Sequence, residues 1–168
     1  MLREFECSSV LTLTGQWSAI EDLGETRVAV SSIPGAGLGL FAKRPFREGD
    51  LICTYFGRLL STSQAMRLEN KTYLMRLGPD MYLDASSSMC CSGRYINDCR
   101  NRLGYNAHFV KFPDRKIAEV RATCWIPEGA EVFVSYGRWY WGGQPAKRLR
   151  LCDLLKNQMQ REEDDEQE

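Results

Sequence analysis

The sequence predicts one β-rich α+β domain, built of short strands with two helices at most. Three observations lead there. From Arg27 onward, short apolar runs alternate with clusters of Gly, Pro, Asp and Asn, which is strand-and-turn chemistry. Helical patterning is confined to a stretch after Ser61 and another from Gln144 to Gln160. The 168 residues suffice for a real core but are short for two.

Taken in order, residues 1–26 form an N-terminal extension without a sustained period, where Val10-Leu11-Thr12-Leu13 is one strand candidate. Val28-Ala29-Val30 and Leu40-Phe41-Ala42 flank a glycine cluster. The turn Arg47-Glu48-Gly49-Asp50 leads into Leu51 to Phe56, a strand. Ser61-Thr62-Ser63-Gln64 reads as a capping box opening a short helix through about Asn70. Thr72 to Leu77 and Met81 to Leu83 flank Gly78-Pro79-Asp80, a hairpin; Ala107 to Phe112 and Ile117 to Cys124 flank Pro113-Asp114-Arg115-Lys116, a second. Pro127-Glu128-Gly129 then turns into a strand from Glu131 to Tyr136. The domain is expected over 27–143, a helix with Leu151, Leu154, Leu155 and Met159 on one face over 144–161, and a disordered acidic tail over 162–168.

The net charge of zero conceals an asymmetry: the last seven residues hold six of the 22 acids, so the rest carries a net +6. That diffuse basic body reads as a solvated surface, and direct nucleic-acid binding stays open without a recognition motif. No apolar run approaches a membrane span, and the start Met1-Leu2-Arg3-Glu4 is too acidic and mixed for a signal peptide. An intracellular protein is expected. Seven cysteines, an odd number, suit reduced thiols. Cys90-Cys91 with Cys99 does not reproduce a zinc knuckle, so buried thiols and no metal are expected.

The chemistry concentrates around Asn97 and Asn106, which flank a polar, glycine-bearing loop between apolar stretches. Amides so placed need partners, so the loop is a tight corner or the rim of a binding site. Ile33-Pro34-Gly35-Ala36-Gly37-Leu38-Gly39 contains a GxGxxG-like spacing, but Pro45 and Gly49 leave no room for a long helix after it, which excludes a dinucleotide fold. The sole histidine, His108, has no nucleophile motif beside it and reads as a surface residue.

Three blocks, in order, resemble the SET-domain protein lysine methyltransferases. Gly37-Leu38-Gly39-Leu40-Phe41-Ala42 is similar to the family's first motif, Arg94-Tyr95-Ile96-Asn97 with Asn106 to its central one, and Glu131 to Gly137 to its late one. Glu128-Gly129 also matches the preceding turn. The resemblance implies small twisted sheets with a C-terminal pseudoknot, and S-adenosylmethionine as cofactor. It implies transfer of a methyl group to a deprotonated lysine amine of a protein, a histone tail by family habit, in the nucleus or cytoplasm. By the same resemblance Gly37, Leu38, Gly39, Arg94, Tyr95, Asn97, Asp98, Tyr136 and Trp139 meet or support the cofactor, and Tyr136, Tyr55 and Tyr73 line the transfer channel. Asp98 stands where the family usually has histidine, and the alternative is a SET-like module that binds protein without catalysis. Trp139, Tyr140, Trp141 and the helix after Pro145 are expected to close the channel in place of a zinc cluster. Oligomeric state is not implied.

Overall fold

Strands form where the turn residues mark their ends in the computed structural model, which describes residues 24–137 and 140–142. β1 (Thr26–Val30) and β2 (Leu38–Ala42) pair antiparallel, Val28 opposite Leu40, around the Pro34-Gly35 turn. β3 (Leu51–Tyr55) pairs with β8 (Ile117–Ala122), which pairs in turn with β7 (Ala107–Phe112); Phe109 faces Val120 across the last pair. β4 (Arg58–Leu60) and β5 (Leu74–Gly78) both pair with β6 (Met81–Asp84). Among the described residues three small antiparallel sheets result, in keeping with the small sheets that the family resemblance implies.

The capping box is present: the Ser61 hydroxyl accepts from Gln64 N–H and the Gln64 side chain accepts from Ser61 N–H. The helix, α1 (Thr62–Met66), is shorter than expected, ending before Arg67 rather than near Asn70. There the chain turns away, and Asn70 Oδ1 caps Thr72 N–H at 2.9 Å. Two further corrections concern strands. β4 has only three residues, too few to show a period, and was not anticipated. The run from Glu131 to Tyr136 is no regular strand: it forms isolated bridges, Glu131 antiparallel to Phe41 and Phe133 parallel to Asn97. The candidate strand at Val10–Leu13, the helix over 144–161 and the acidic tail lie outside the described residues.

Those bridges create the crossing. Val134 N–H donates to Asn97 O on one side of the run, and Asn106 N–H donates to Phe133 O on the other. The chain from Asn97 to Asn106 therefore loops around the late segment, the pseudoknot arrangement that the family resemblance implies. Val132 and Val134, each fully buried, carry the crossing into the main core with Leu40, Phe46, Ile96, Val120 and Ile126. A second cluster joins Tyr55 of β3 and Ala118 of β8 to Leu77 of β5 and Leu83 of β6, with Cys91. Burial pushes the Cys53 thiol up to about 12 and raises those of Cys91 and Cys99, so these three stay protonated at neutral pH. Cys90 and Cys124 are exposed, and among the described residues no three metal-ligating side chains cluster.

Candidate active site

Both asparagines act on the main chain. Asn106 Nδ2 donates to Glu131 O and its Oδ1 accepts from Phe133 N–H, both at 2.8 Å, so one amide clamps the threaded segment. Asn97 Nδ2 donates to Leu38 O at 2.8 Å, tying the crossing to the glycine loop 59 residues earlier. Gly37 holds that loop open with φ of +78°, and a side chain there would meet nothing within 4 Å, so the main chain is uncovered.

Glu131 sits beneath the loop, fully buried. Its carboxylate accepts from the Ser31 hydroxyl at 2.7 Å, Ser32 N–H at 2.7 Å, the Ser32 hydroxyl at 2.5 Å and, more weakly, Asn97 Nδ2 at 3.4 Å. A β-carbon on Gly39 would lie 2.2 Å from Glu131 Oε1, so only glycine lets the loop pass over this acid.

Asp98 is a second such hub, 8% exposed. Oδ1 accepts from Arg100 N–H and the Tyr105 phenol, each at 2.7 Å; Oδ2 accepts from Tyr136 N–H at 2.9 Å and Trp141 Nε1 at 3.0 Å. Four donors fill the acceptor sites of one carboxylate. Burial, and next the bond to Asp98, push the Tyr105 phenol up to about 12. Trp141 stacks on Tyr136 with centroids 6.1 Å apart, Tyr140 meets Tyr136 edge-on at 4.6 Å, and the Arg100 guanidinium lies 4.2 Å from the Trp141 ring.

Beside this knot lies a cleft of about 1390 Å³, lined by residues of β5 and β7 together with Tyr55, Tyr73, Arg94, Ile96 and Tyr136. The Tyr136 hydroxyl donates to Ile96 O, and the Tyr55 hydroxyl donates to Tyr73 O. Burial above all holds both phenols above the usual tyrosine range, so they are neutral at physiological pH. The Arg94 guanidinium stacks 4.1 Å from the Tyr73 ring.

The residues marked out by sequence thus fall into distinct places. Tyr55, Tyr73, Arg94 and Tyr136 line the cleft. Gly37, Leu38, Gly39 and Asn97 form a second group at the glycine loop. Successive residues join the two groups, because Ile96 O takes the Tyr136 hydroxyl while Asn97 reaches Leu38. Tyr95 is buried in the main core, Asp98 under the aromatic rim, and Trp139 lies outside the described residues. Ser31, Ser32 and Tyr105 were not singled out by sequence. The available signals were hydroxyl residues directly before the glycine turn and an acid, Glu131, heading the apolar run Val132-Phe133-Val134.

A family model of the SET domain matches residues 37–137, and the chain belongs to that family. The standard role of the family is protein lysine methylation, with S-adenosylmethionine as the typical cofactor, and it includes inactive members. A search of curated proteins finds no match to the chain.

Proposed function

We propose that this chain is an S-adenosylmethionine-dependent protein lysine N-methyltransferase, that a histone lysine is its substrate, and that it works in the nucleus. The observation that carries the reading is the pair of phenols at the cleft. Tyr136 and Tyr55 each give their one proton to a main-chain carbonyl, Ile96 O and Tyr73 O. Toward the cleft each oxygen can then only accept, which suits the N–H of a neutral amine and aims its lone pair. Neither phenol serves as a base at neutral pH, because burial keeps both protonated.

The residues present fit the cofactor: an uncovered main chain at Gly37-Leu38, an amide beside it at Asn97, and neutral oxygen dipoles rather than a nucleophile at the cleft. When bound, the cofactor supplies an electrophilic methyl on a positively charged sulfur. Lysine, with a pKa of about 10.4 in water, must lose a proton to solvent before attack. Arg94 beside Tyr73 and the burial around Tyr55 and Tyr136 favour that neutral form. With the cofactor bound, the two phenol oxygens would hold the neutral amine for in-line transfer of that methyl.

Mass spectrometry of a core-histone panel, after incubation with the chain and labelled cofactor, tests substrate, residue and methyl number together. Tyr136→Phe is expected to lower transfer about a hundredfold or more by freeing the amine's orientation. No heat of cofactor binding in calorimetry would sink the proposal. The second reading, a partner-binding module without catalysis, draws on Asp98 in the histidine position. It requires partner capture that Tyr136→Phe leaves untouched and no methylated product.

A further inference from the structure

The cleft beside the tyrosines is cationic. Lys71, Arg76, Arg94 and Lys111 line it, against one acid, Glu69, and His108. Among the described residues no carboxylate ion-pairs with any of the four; the ion pairs there all involve Arg44, Arg58, Arg115 or Arg121. Their hydrogen bonds go to neutral groups: Lys71 Nζ donates to Leu68 O at 2.5 Å, Arg76 Nε to Gly78 O at 3.3 Å, and Arg94 Nη1 lies 3.0 Å from Met89 Sδ. Arg94 Nε is buried with no hydrogen-bond partner. Partial desolvation, then the charge of Arg76, holds the Lys111 ammonium below the usual lysine range.

We propose that this cleft selects lysines set in acidic protein segments, with Arg76 and Lys111 pairing with carboxylates that flank the target, an inference that rests on the methyltransferase reading. Cations gathered around a cleft raise the local concentration of anions and repel a segment dense in Lys and Arg. A basic tail adds to the repulsion already present between β5 and β7, whereas Asp or Glu beside the target relieves it. The same cations discourage the ammonium form of the target lysine. The histone segments favoured are then those with acids next to lysine.

The test uses the full chain and three short peptides sharing one central lysine. Their flanks are rich in Asp and Glu, in Ser and Gln, or in Lys and Arg. Initial rates are read with labelled cofactor, and binding is read separately by fluorescence anisotropy on versions with norleucine for the lysine. Acidic flanks are expected to exceed basic ones about tenfold in kcat/KM and in affinity at low salt. The gap closes at about 1 M salt, where the Debye length is about 3 Å. The double variant Arg76→Glu, Lys111→Glu reverses the order, and Arg47→Glu, away from the cleft, preserves it. If the double variant does not fold, the wild-type order and its salt dependence decide. Equal or better binding of the basic peptide, or tighter binding of a short DNA duplex than of the acidic peptide, overturns the inference. If no peptide is methylated, the anisotropy order still settles the charge preference, while the methyltransferase reading falls separately.

Discussion

Glu131 and Asp98 are both buried carboxylates engaged by the chain's own donors, yet they hold different kinds of neighbour. Glu131 binds short hydroxyls, a main-chain amide and the Asn97 amide, with Gly39 pressed against it. None of these groups has an apolar body to keep it in place once the acid is gone. Asp98 binds the Tyr105 phenol, the Trp141 indole and two main-chain amides. Trp141 also packs on Tyr136 and against Arg100, contacts of its own beside the bond to Asp98. One knot sets backbone positions at the glycine loop, and the other draws the aromatic rim onto Tyr136. Loss of the first is therefore expected to cost fold, and loss of the second to cost alignment.

The largest effect comes from removing Glu131. Glu131→Ala takes the acceptor from two serine hydroxyls and one main-chain N–H, and removes the weaker of the two Asn97 amide bonds. Each buried donor left without its acceptor costs about 1–3 kcal/mol. Urea unfolding should show a loss of about 4 kcal/mol, as several such donors are orphaned at once. Gly39→Ala should be comparably damaging, because its β-carbon cannot share space with Oε1. A loss from Glu131→Ala no greater than that from Asp98→Asn would break the comparison.

Asp98→Asn comes next. The amide keeps one acceptor oxygen and turns an NH₂ toward donors, so two of the four bonds fail. At roughly 1 kcal/mol each, stability should fall by about 2 kcal/mol. Freeing Trp141 Nε1 should also move tryptophan emission to the red, a shift absent when Trp141→Phe is already in place. An unchanged spectrum would mean that packing alone holds the rim.

Much of this fold was legible in the sequence because its signals are local. Gly78-Pro79-Asp80 and Pro113 to Lys116 mark hairpins, and Ser61 with Gln64 marks a helix start. The knot was less legible for a physical reason. Asn97 and Asn106 could be recognised as amides needing partners, but those partners lie 59 and 25 to 27 residues away. Asp98 looked like a departure from the family pattern; its donors at Tyr105, Tyr136 and Trp141 come together only after threading. The alternation in Glu131-Val132-Phe133-Val134 suggested a strand, yet its main chain is shared among β2, Asn97 and Asn106, so no ladder forms.

The smallest effect isolates one strand of the Asp98 knot and gives it a pH signature. Tyr105→Phe removes a single hydrogen bond to a charged acceptor and should cost about 1–2 kcal/mol at pH 8. The folded protein holds the Tyr105 phenol at about 12, above its unfolded value near 10. A group whose folded pKa is raised gives its full stability below the unfolded pKa and loses it as pH rises toward the folded one. The wild type should therefore lose stability between about pH 10 and pH 12 that Tyr105→Phe does not lose, and the gap between them should narrow. Paired urea curves at pH 8 and at about pH 10.5 read this directly. A gap that stays constant would show that Asp98 holds Tyr105 no more tightly folded than unfolded, leaving the main-chain amides and Trp141 as its working partners.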